Sequence, residues 1–144
     1  KAHGCHHTIN YTREDFTAGV DEITDGKGVP VVFDGVGADT FDGSLKSLSP
    51  FGVLASFGAS SGPPPELTLA VLATKALYIT RPSLAPHTAT AELTKEIISP
   101  LFAAIRGGLS ITISQTYALK DAANAHRALQ SRKTTGSTIL EIQI

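Results

Sequence analysis

The sequence has one cysteine, almost no net charge and no long apolar run. Because Cys5 has no second cysteine to pair with, no disulfide can form within the chain, and this fits a reducing, cytoplasmic location. A net charge of −1 supplies no basic surface for nucleic acid or an anionic membrane. No apolar run approaches the ~20 residues that cross a bilayer. The 144 residues therefore predict one globular domain that binds neither nucleic acid nor membrane.

The first residues carry neither a methionine nor a signal-sequence pattern. The stretch KAHGCHH is typical of a helix end that leads into a strand. We therefore expect the sequence to start inside a larger fold.

Short β-type runs alternate with helical patterns from residue 7 onward. Strands are predicted at 7–11, 29–36, 52–58, 76–81, 109–117 and 137–144. Helices are predicted at about 12–26, 40–49, 67–75, 88–108 and 120–131. The run at 29–36 lacks alternation, which is typical of a strand covered on both faces. This order predicts an α/β fold, a Rossmann-like and mainly parallel sheet with helices on both faces.

Individual residues predict where the helices begin, end and bury their apolar sides. Thr12 with Asp15 forms a possible capping box, Gly26 ends that helix, and Asp39 caps the next one. The buried stripe of the second helix is predicted to be Phe41, Leu45 and Leu48. Pro100 lies inside a later helical pattern, and since an interior proline costs ~3 kcal/mol we expect a kink or a break there.

The stretch VVFDGVGADTF, residues 31–41, runs from a strand into Gly-x-Gly, as a dinucleotide phosphate loop does. The third glycine of G-x-G-x-x-G is missing because Thr40 takes its place, so this is either a degraded phosphate loop or another loop of the same kind of domain. Ligands of open parallel sheets lie beyond the carboxyl ends of the strands. Glycines at this edge either serve turns or let a ligand approach closely.

Five segments together resemble the zinc-independent quinone oxidoreductases, the zeta-crystallin-like branch of the medium-chain dehydrogenase/reductase superfamily. They are GCHHTINY, EITDGKGVPVVFDGVG, LASFGASSG, LYITRPSL and AHRALQSRKTTGSTIL. The resemblance implies that residues 1–144 are a single partial dinucleotide-binding domain, with about 115–144 returning toward a catalytic domain. It also implies that the first two strands and the glycine-rich loop lie upstream, so that residues 35–37 follow the fourth strand.

The same resemblance implies a quinone reductase that transfers a hydride from NADPH. The cofactor-binding residues it implies are Tyr11, Val36, Gly37, Phe57, Gly58, Thr80 and Arg132. Tyr11 would lie at the adenine and 2′-phosphate end, and Lys133 competes with Arg132 for a phosphate. Arg81 is the cation placed to stabilise an enolate or quinol oxygen at the catalytic end, and its alternative is a surface ion pair. For the others the alternative is simple packing at strand ends.

Cys5, His6 and His7 are zinc-ligand types, but adjacent strand positions point to opposite faces and no second ligand pair has suitable spacing. We therefore expect no metal. Two other functions stay open, namely reduction of a 2-alkenal or enoyl substrate and a noncatalytic dimerising fragment. Family members pair through the edge strand that matches Ala76–Arg81, so the resemblance also implies a homodimer.

Overall fold

In the computed structural model, the described residues are 4–142. Contacts divide the chain into two compact units, Lys1–Pro86 and His87–Ile144, and the single partial dinucleotide-binding domain stays a prediction. Each unit is described by itself below. The return of residues 115–144 toward a catalytic domain stays a prediction.

The first unit is built around a three-stranded parallel sheet. Its strands are β1 (Val29–Asp34), β2 (Leu48–Ser56) and β3 (Tyr78–Thr80), in the order β1-β2-β3. Its helices are α1 (Phe16–Ile23), α2 (Phe41–Lys46) and α3 (Leu69–Ala73). The last residue of β1 is opposite the last residue of β2, and Thr80 of β3 is opposite Ala55. All three strands therefore end at the same edge, and the predicted α/β class with parallel strands is confirmed.

The core of this unit lies between α2 and the middle of the sheet. It consists of Phe41, Leu45, Leu48, Leu54 and Leu77. Leu48 and Leu54 are 0% exposed, and complete burial of one such side chain contributes about 1.5–3 kcal/mol. The predicted stripe of Phe41, Leu45 and Leu48 is confirmed as buried. Leu48, however, is the first residue of β2 and does not belong to the helix.

Residues 7–11 do not form the predicted strand. A strand needs a partner for its backbone hydrogen bonds, and in the described part of the chain no strand pairs with this segment. The segment instead leads into a turn that begins at Asn10. The Asn10 carbonyl oxygen accepts from Arg13 N at 2.9 Å, and its side-chain oxygen accepts from Thr12 N at 3.1 Å.

The ends of α1 differ from the prediction. Asp15 is itself the N-cap, because its Oδ1 accepts from Thr17 N at 2.9 Å, so the predicted capping box beginning at Thr12 is wrong. The helix ends at a C-cap on Thr24. Gly26 follows two residues later with φ +72°, in the left-handed turn that leads toward β1.

Two further predictions around β1 are wrong. β1 lies at an edge of its sheet, and Phe33 and Val31 are 75% and 43% exposed, so the strand is not covered on both faces. The N-cap of α2 is Thr40 rather than Asp39. The Asp39 backbone N–H is held by the Ser61 hydroxyl at 3.0 Å, which places Asp39 in the loop before the helix.

The second unit contains a long helix and a two-stranded parallel sheet. After α4 (Leu84–His87), its elements are α5 (Ala91–Arg106), β4 (Ile113–Ala118), α6 (Ala122–Gln130) and β5 (Ser137–Glu141). β4 pairs with β5 in a sheet of their own, and α6 connects them. α5 continues through Pro100, so no break occurs there, and the kink that was the other expectation stays a prediction. The helix is capped at its start by Thr90, whose Oγ1 accepts a hydrogen bond from Leu93 N at 3.3 Å.

Candidate functional site

Most of the predicted site residues lie at the carboxyl edge of the β1-β2-β3 sheet. The residues at this edge are Val36, Gly37, Phe57, Gly58, Thr80 and Arg81. Three loops leave the edge, and the first two are connected by hydrogen bonds. We call residues 35–39 and 57–62 together the paired loops.

The first loop is held by the carboxylate of Asp34, the last residue of β1. Asp34 is 4% exposed, and its Oδ1 accepts from Val36 N at 2.8 Å and from Gly37 N at 3.0 Å. Its Oδ2 accepts from Thr40 Oγ1 at 2.9 Å and from Ser44 Oγ at 2.8 Å. Burial by itself raises the pKa of Asp34, but these hydrogen bonds outweigh it and lower the pKa below the ordinary value. The carboxylate is therefore ionised at neutral pH.

The second loop is bonded to the first through Ser61. Ser61 N and Oγ both donate to the Val36 carbonyl at 2.8 Å, and Ser61 Oγ accepts from Asp39 N at 3.0 Å. Ala38 N donates to the Gly62 carbonyl at 3.1 Å. These bonds join the two loops into one wall at the sheet edge.

Two glycines allow the paired loops to approach each other this closely. Gly37 has φ +92°, and a Cβ on it would overlap the Gly62 carbonyl oxygen. A Cβ on Gly58 would overlap the backbone of Gly35. The loop contact thus requires glycine at both positions. The Phe57 ring covers Gly35 and is 56% exposed, so the wall presents an aromatic surface beside Val36.

The donors of the first loop decide whether it is a phosphate loop. A phosphate loop offers free backbone N–H groups to the anion. Here the N–H groups of residues 36–40 all have internal acceptors, namely Asp34, Gly62, Ser61 and Gly37. The buried carboxylate of Asp34, which holds the loop, also repels an anion. This loop is therefore not a degraded phosphate loop.

Arg81 connects the ends of β2 and β3. Its Nη1 donates to Ser56 Oγ and to the Gly58 carbonyl, both at 3.1 Å. A guanidinium has five donors in a rigid plane, so it can position a loop and also bind a further acceptor. The sequence suggested a catalytic cation or an ion pair, and the observed contacts add a role in holding Gly58.

Tyr11 and Val36 line one open groove of about 320 Å³ beside β1. Apolar side chains, among them Val32 and Phe33, supply much of its surface, and the volume lies at the lower end of small-ligand sites. Tyr11 is 43% exposed there. Arg132 belongs to the second unit, where it follows α6 with φ +56°.

The sequence analysis did not identify four residues whose side chains hold the paired loops in place, namely Asp34, Thr40, Ser44 and Ser61. An available signal was an acidic residue at the end of an apolar strand, followed by hydroxyl residues six and ten positions later. Such spacing lets a loop and the first turn of a helix donate to one carboxylate.

The residue types that resemble zinc ligands, Cys5, His6 and His7, lie in an exposed segment before α1. Cys5 is exposed and its Sγ donates to the His7 carbonyl at 2.8 Å. Within residues 4–142, no group of three His, Cys, Asp or Glu side chains converges on a point. Over the same residues, no helix is both long and apolar enough to cross a membrane.

Comparison with known proteins places this geometry among dehydrogenases. The family model described as zinc-binding dehydrogenase matches residues 3–140. The quinone oxidoreductase of Pseudomonas aeruginosa is 45% identical over 142 residues, which are 97% of this chain and 44% of that protein. The 2-haloacrylate reductase of a Burkholderia species is 41% identical over 95% of this chain and 42% of its own length.

A solved structure also matches the fold. The Escherichia coli quinone oxidoreductase, crystallised in complex with NADPH, superimposes with a TM-score of 0.87 and is 44% identical. The match covers 92% of this chain and 42% of that protein. The chain therefore spans less than half the length of the relatives it matches.

Proposed function

The chain belongs to the zinc-binding dehydrogenase family, within the medium-chain dehydrogenase/reductase superfamily, and from this premise we propose that it is the cofactor-binding portion of an NADPH-dependent quinone reductase. The observation that carries the proposal is the wall at the carboxyl edge of the sheet, where hydrogen bonds join the paired loops. An open parallel sheet binds its ligand at this edge. The similarity to a quinone oxidoreductase crystallised with NADPH supports the choice of cofactor.

The residues present fit the nicotinamide side of such a cofactor. Val36 and the exposed ring of Phe57 offer an apolar surface, and Gly37 and Gly58 let the paired loops lie close together behind it. Thr80 continues the same edge. The pyrophosphate does not fit residues 36–40, whose N–H groups have internal partners, so its donors would come from another part of the protein.

When bound, NADPH supplies a hydride to the acceptor. The contribution of this chain is to hold the ring in place, to exclude water with Phe57, and to keep the paired loops rigid. Such positioning is a large part of catalysis, because a well-oriented pair of reactants avoids much of the entropic cost. No nucleophile or strong base is required.

Arg81 has two roles in this proposal. Its hydrogen bonds to Ser56 and Gly58 fix the second loop, and its remaining donors stabilise the negative oxygen that develops on the acceptor. Tyr11 lines the groove next to β1, where it would contact the adenosine part of the cofactor. Arg132 would bind a phosphate, with Lys133 as the competing cation.

We propose that the reaction proceeds without a metal, although the family is named for zinc. The thiol and imidazoles of Cys5, His6 and His7 do not converge. We also propose a homodimer through Ala76–Arg81, since β3 is an edge strand and Tyr78 on it is 61% exposed. A cytoplasmic location stays a prediction from the cysteine content.

A second candidate is reduction of an activated carbon–carbon double bond, as in a 2-alkenal or enoyl reductase. It is supported by the 41% identity to a 2-haloacrylate reductase. Both reactions place negative charge on an acceptor oxygen, so the wall described above serves either one. The third possibility, a noncatalytic dimerising fragment, requires that the protein have no turnover with any acceptor.

The test is turnover by the product of the full open reading frame that contains this chain. NADPH oxidation is followed with 1,4-benzoquinone and with 2-alkenals. A kcat/KM at least tenfold higher for the quinone supports quinone reduction. A kcat/KM at least tenfold higher for the 2-alkenals favours the enoyl reductase. The absence of turnover with both acceptors favours the noncatalytic dimerising fragment.

A further inference from the structure

We propose that Asp34 is a positioning residue of the cofactor site, whose carboxylate fixes Val36 and Gly37 in the arrangement that faces the nicotinamide. This inference rests on the proposed function, because it assumes that the paired loops contact the cofactor. It adds a residue that the sequence did not indicate and assigns it a role distinct from fold stability.

The geometry of the carboxylate supports a positioning role. One oxygen accepts from two successive backbone N–H groups of the first loop, at 2.8 and 3.0 Å. The other accepts from Thr40 and Ser44, at 2.9 and 2.8 Å, and Ser44 lies within α2. Asp34 therefore connects the loop to a helix whose neighbouring residues Phe41 and Leu45 belong to the core. A displacement of the carboxylate would move the loop relative to that helix.

The chemistry of the donors predicts which substitutions preserve the arrangement. Asparagine keeps one acceptor oxygen for the two backbone N–H groups, and its amide can donate to the hydroxyls of Thr40 and Ser44, which both donate and accept. Alanine leaves the two N–H groups without an acceptor in a buried place, which is costly. Asp34→Asn should therefore retain the loop geometry, and Asp34→Ala should lose it.

Two serines of the same region provide a matched pair. Ser44 and Ser47 are 4% and 6% exposed, and each hydroxyl donates one hydrogen bond. Ser44 donates to Asp34 at 2.8 Å, whereas Ser47, the C-cap residue of α2, donates to the Gly43 carbonyl at 2.9 Å. Both variants remove one buried hydroxyl, but Ser44→Ala should lower the Tm more than Ser47→Ala, because the Ser44 hydroxyl donates to an ionised carboxylate. Only Ser44→Ala should also loosen the carboxylate.

The experiment measures four variants of the full open reading frame product: Asp34→Ala, Asp34→Asn, Ser44→Ala and Ser47→Ala. For each, kcat, the KM for NADPH, the KM for 1,4-benzoquinone, the Kd for NADPH and the Tm are determined. We expect kcat/KM for NADPH to fall roughly 10- to 100-fold in Asp34→Ala and to recover largely in Asp34→Asn, since one or two hydrogen bonds that hold the loop are at stake. We expect a fall of about fivefold in Ser44→Ala and less than about twofold in Ser47→Ala.

Two results would overturn the role of Asp34. One is an equal kcat/KM for NADPH in Ser44→Ala and Ser47→Ala, and the other is no recovery of kcat/KM in Asp34→Asn. If Asp34→Ala fails to fold, the difference in kcat/KM for NADPH between Ser44→Ala and Ser47→Ala still tests the role of Asp34. If the wild-type protein binds NADPH but reduces no quinone, the proposed acceptor is wrong and the Kd values for NADPH decide the role of Asp34. If the wild-type protein does not bind NADPH, both proposals fail.

Discussion

The contact between the paired loops can be tested by adding one methyl group at each of three glycines. Gly62 has φ +118°, but a Cβ there would be 3.6 Å from the Ala38 Cβ, an ordinary contact. Gly58 lies outside the left-handed region, and its Cβ would overlap the backbone of Gly35. Gly37 combines both problems, because it has φ +92° and its Cβ would overlap the Gly62 carbonyl. The three substitutions therefore separate backbone strain from overpacking.

The expected losses of unfolding free energy follow from these two terms. Gly62→Ala carries only the left-handed penalty of about 1–2 kcal/mol. Gly58→Ala carries only overpacking, about 1–3 kcal/mol, and Gly37→Ala carries both, about 2–5 kcal/mol. Urea denaturation of the 144-residue chain, followed by circular dichroism, measures all three. A Gly37→Ala variant as stable as Gly62→Ala would refute the close approach of the two loops.

Three further outcomes are expected. The isolated chain should show no rise in Tm with NADPH up to about 100 μM, because the N–H groups of residues 36–40 donate to internal acceptors and cannot bind the pyrophosphate. A clear rise at micromolar NADPH would contradict this. Arg81→Lys and Ser56→Ala should each lower the unfolding free energy by about 0.5–1.5 kcal/mol, measured by urea titration. Additive losses in the double variant would argue against a direct hydrogen bond between the Arg81 and Ser56 side chains. Because the folded pKa of Asp34 is lowered, its stabilisation is present above the unfolded pKa of about 3.9 and is lost as pH falls through the folded value. The stability difference between wild type and Asp34→Asn should thus shrink in titrations below about pH 4, and a constant difference would contradict it.

Hydrophobic patterning predicted the local elements well, because it reports which residues a sheet and its helices bury. The apolar runs gave the strands at 29–34 and 78–80, and the stripe of Phe41, Leu45 and Leu48 gave the core. The same reasoning wrongly predicted a strand at residues 7–11, and it wrongly predicted that β1 is covered on both faces. A strand forms only with a partner, and residues 7–11 have none in the described part of the chain. The Phe33 side chain on the edge strand β1 is 75% exposed.

The wall of the site could be predicted only in outline. The glycines and the ends of the strands indicated the carboxyl edge of the sheet, where the paired loops lie. The role of Asp34 was missed, because an acid after an apolar strand can equally cap a turn, bind a ligand or lie in solvent. Its function depends on hydroxyls up to ten residues away that α2 brings back to it. The role of Arg132 could not be derived from local sequence either, because Arg132 belongs to the second unit and the paired loops to the first.

The claim that the paired loops form one wall of a nicotinamide dinucleotide site is tested most directly by a crystal structure of the full open reading frame product with NADPH. We expect the nicotinamide ring within about 4 Å of Val36 and Gly37 on one loop and of Phe57 and Gly58 on the other. NADPH bound elsewhere, with these loops facing solvent, would contradict it.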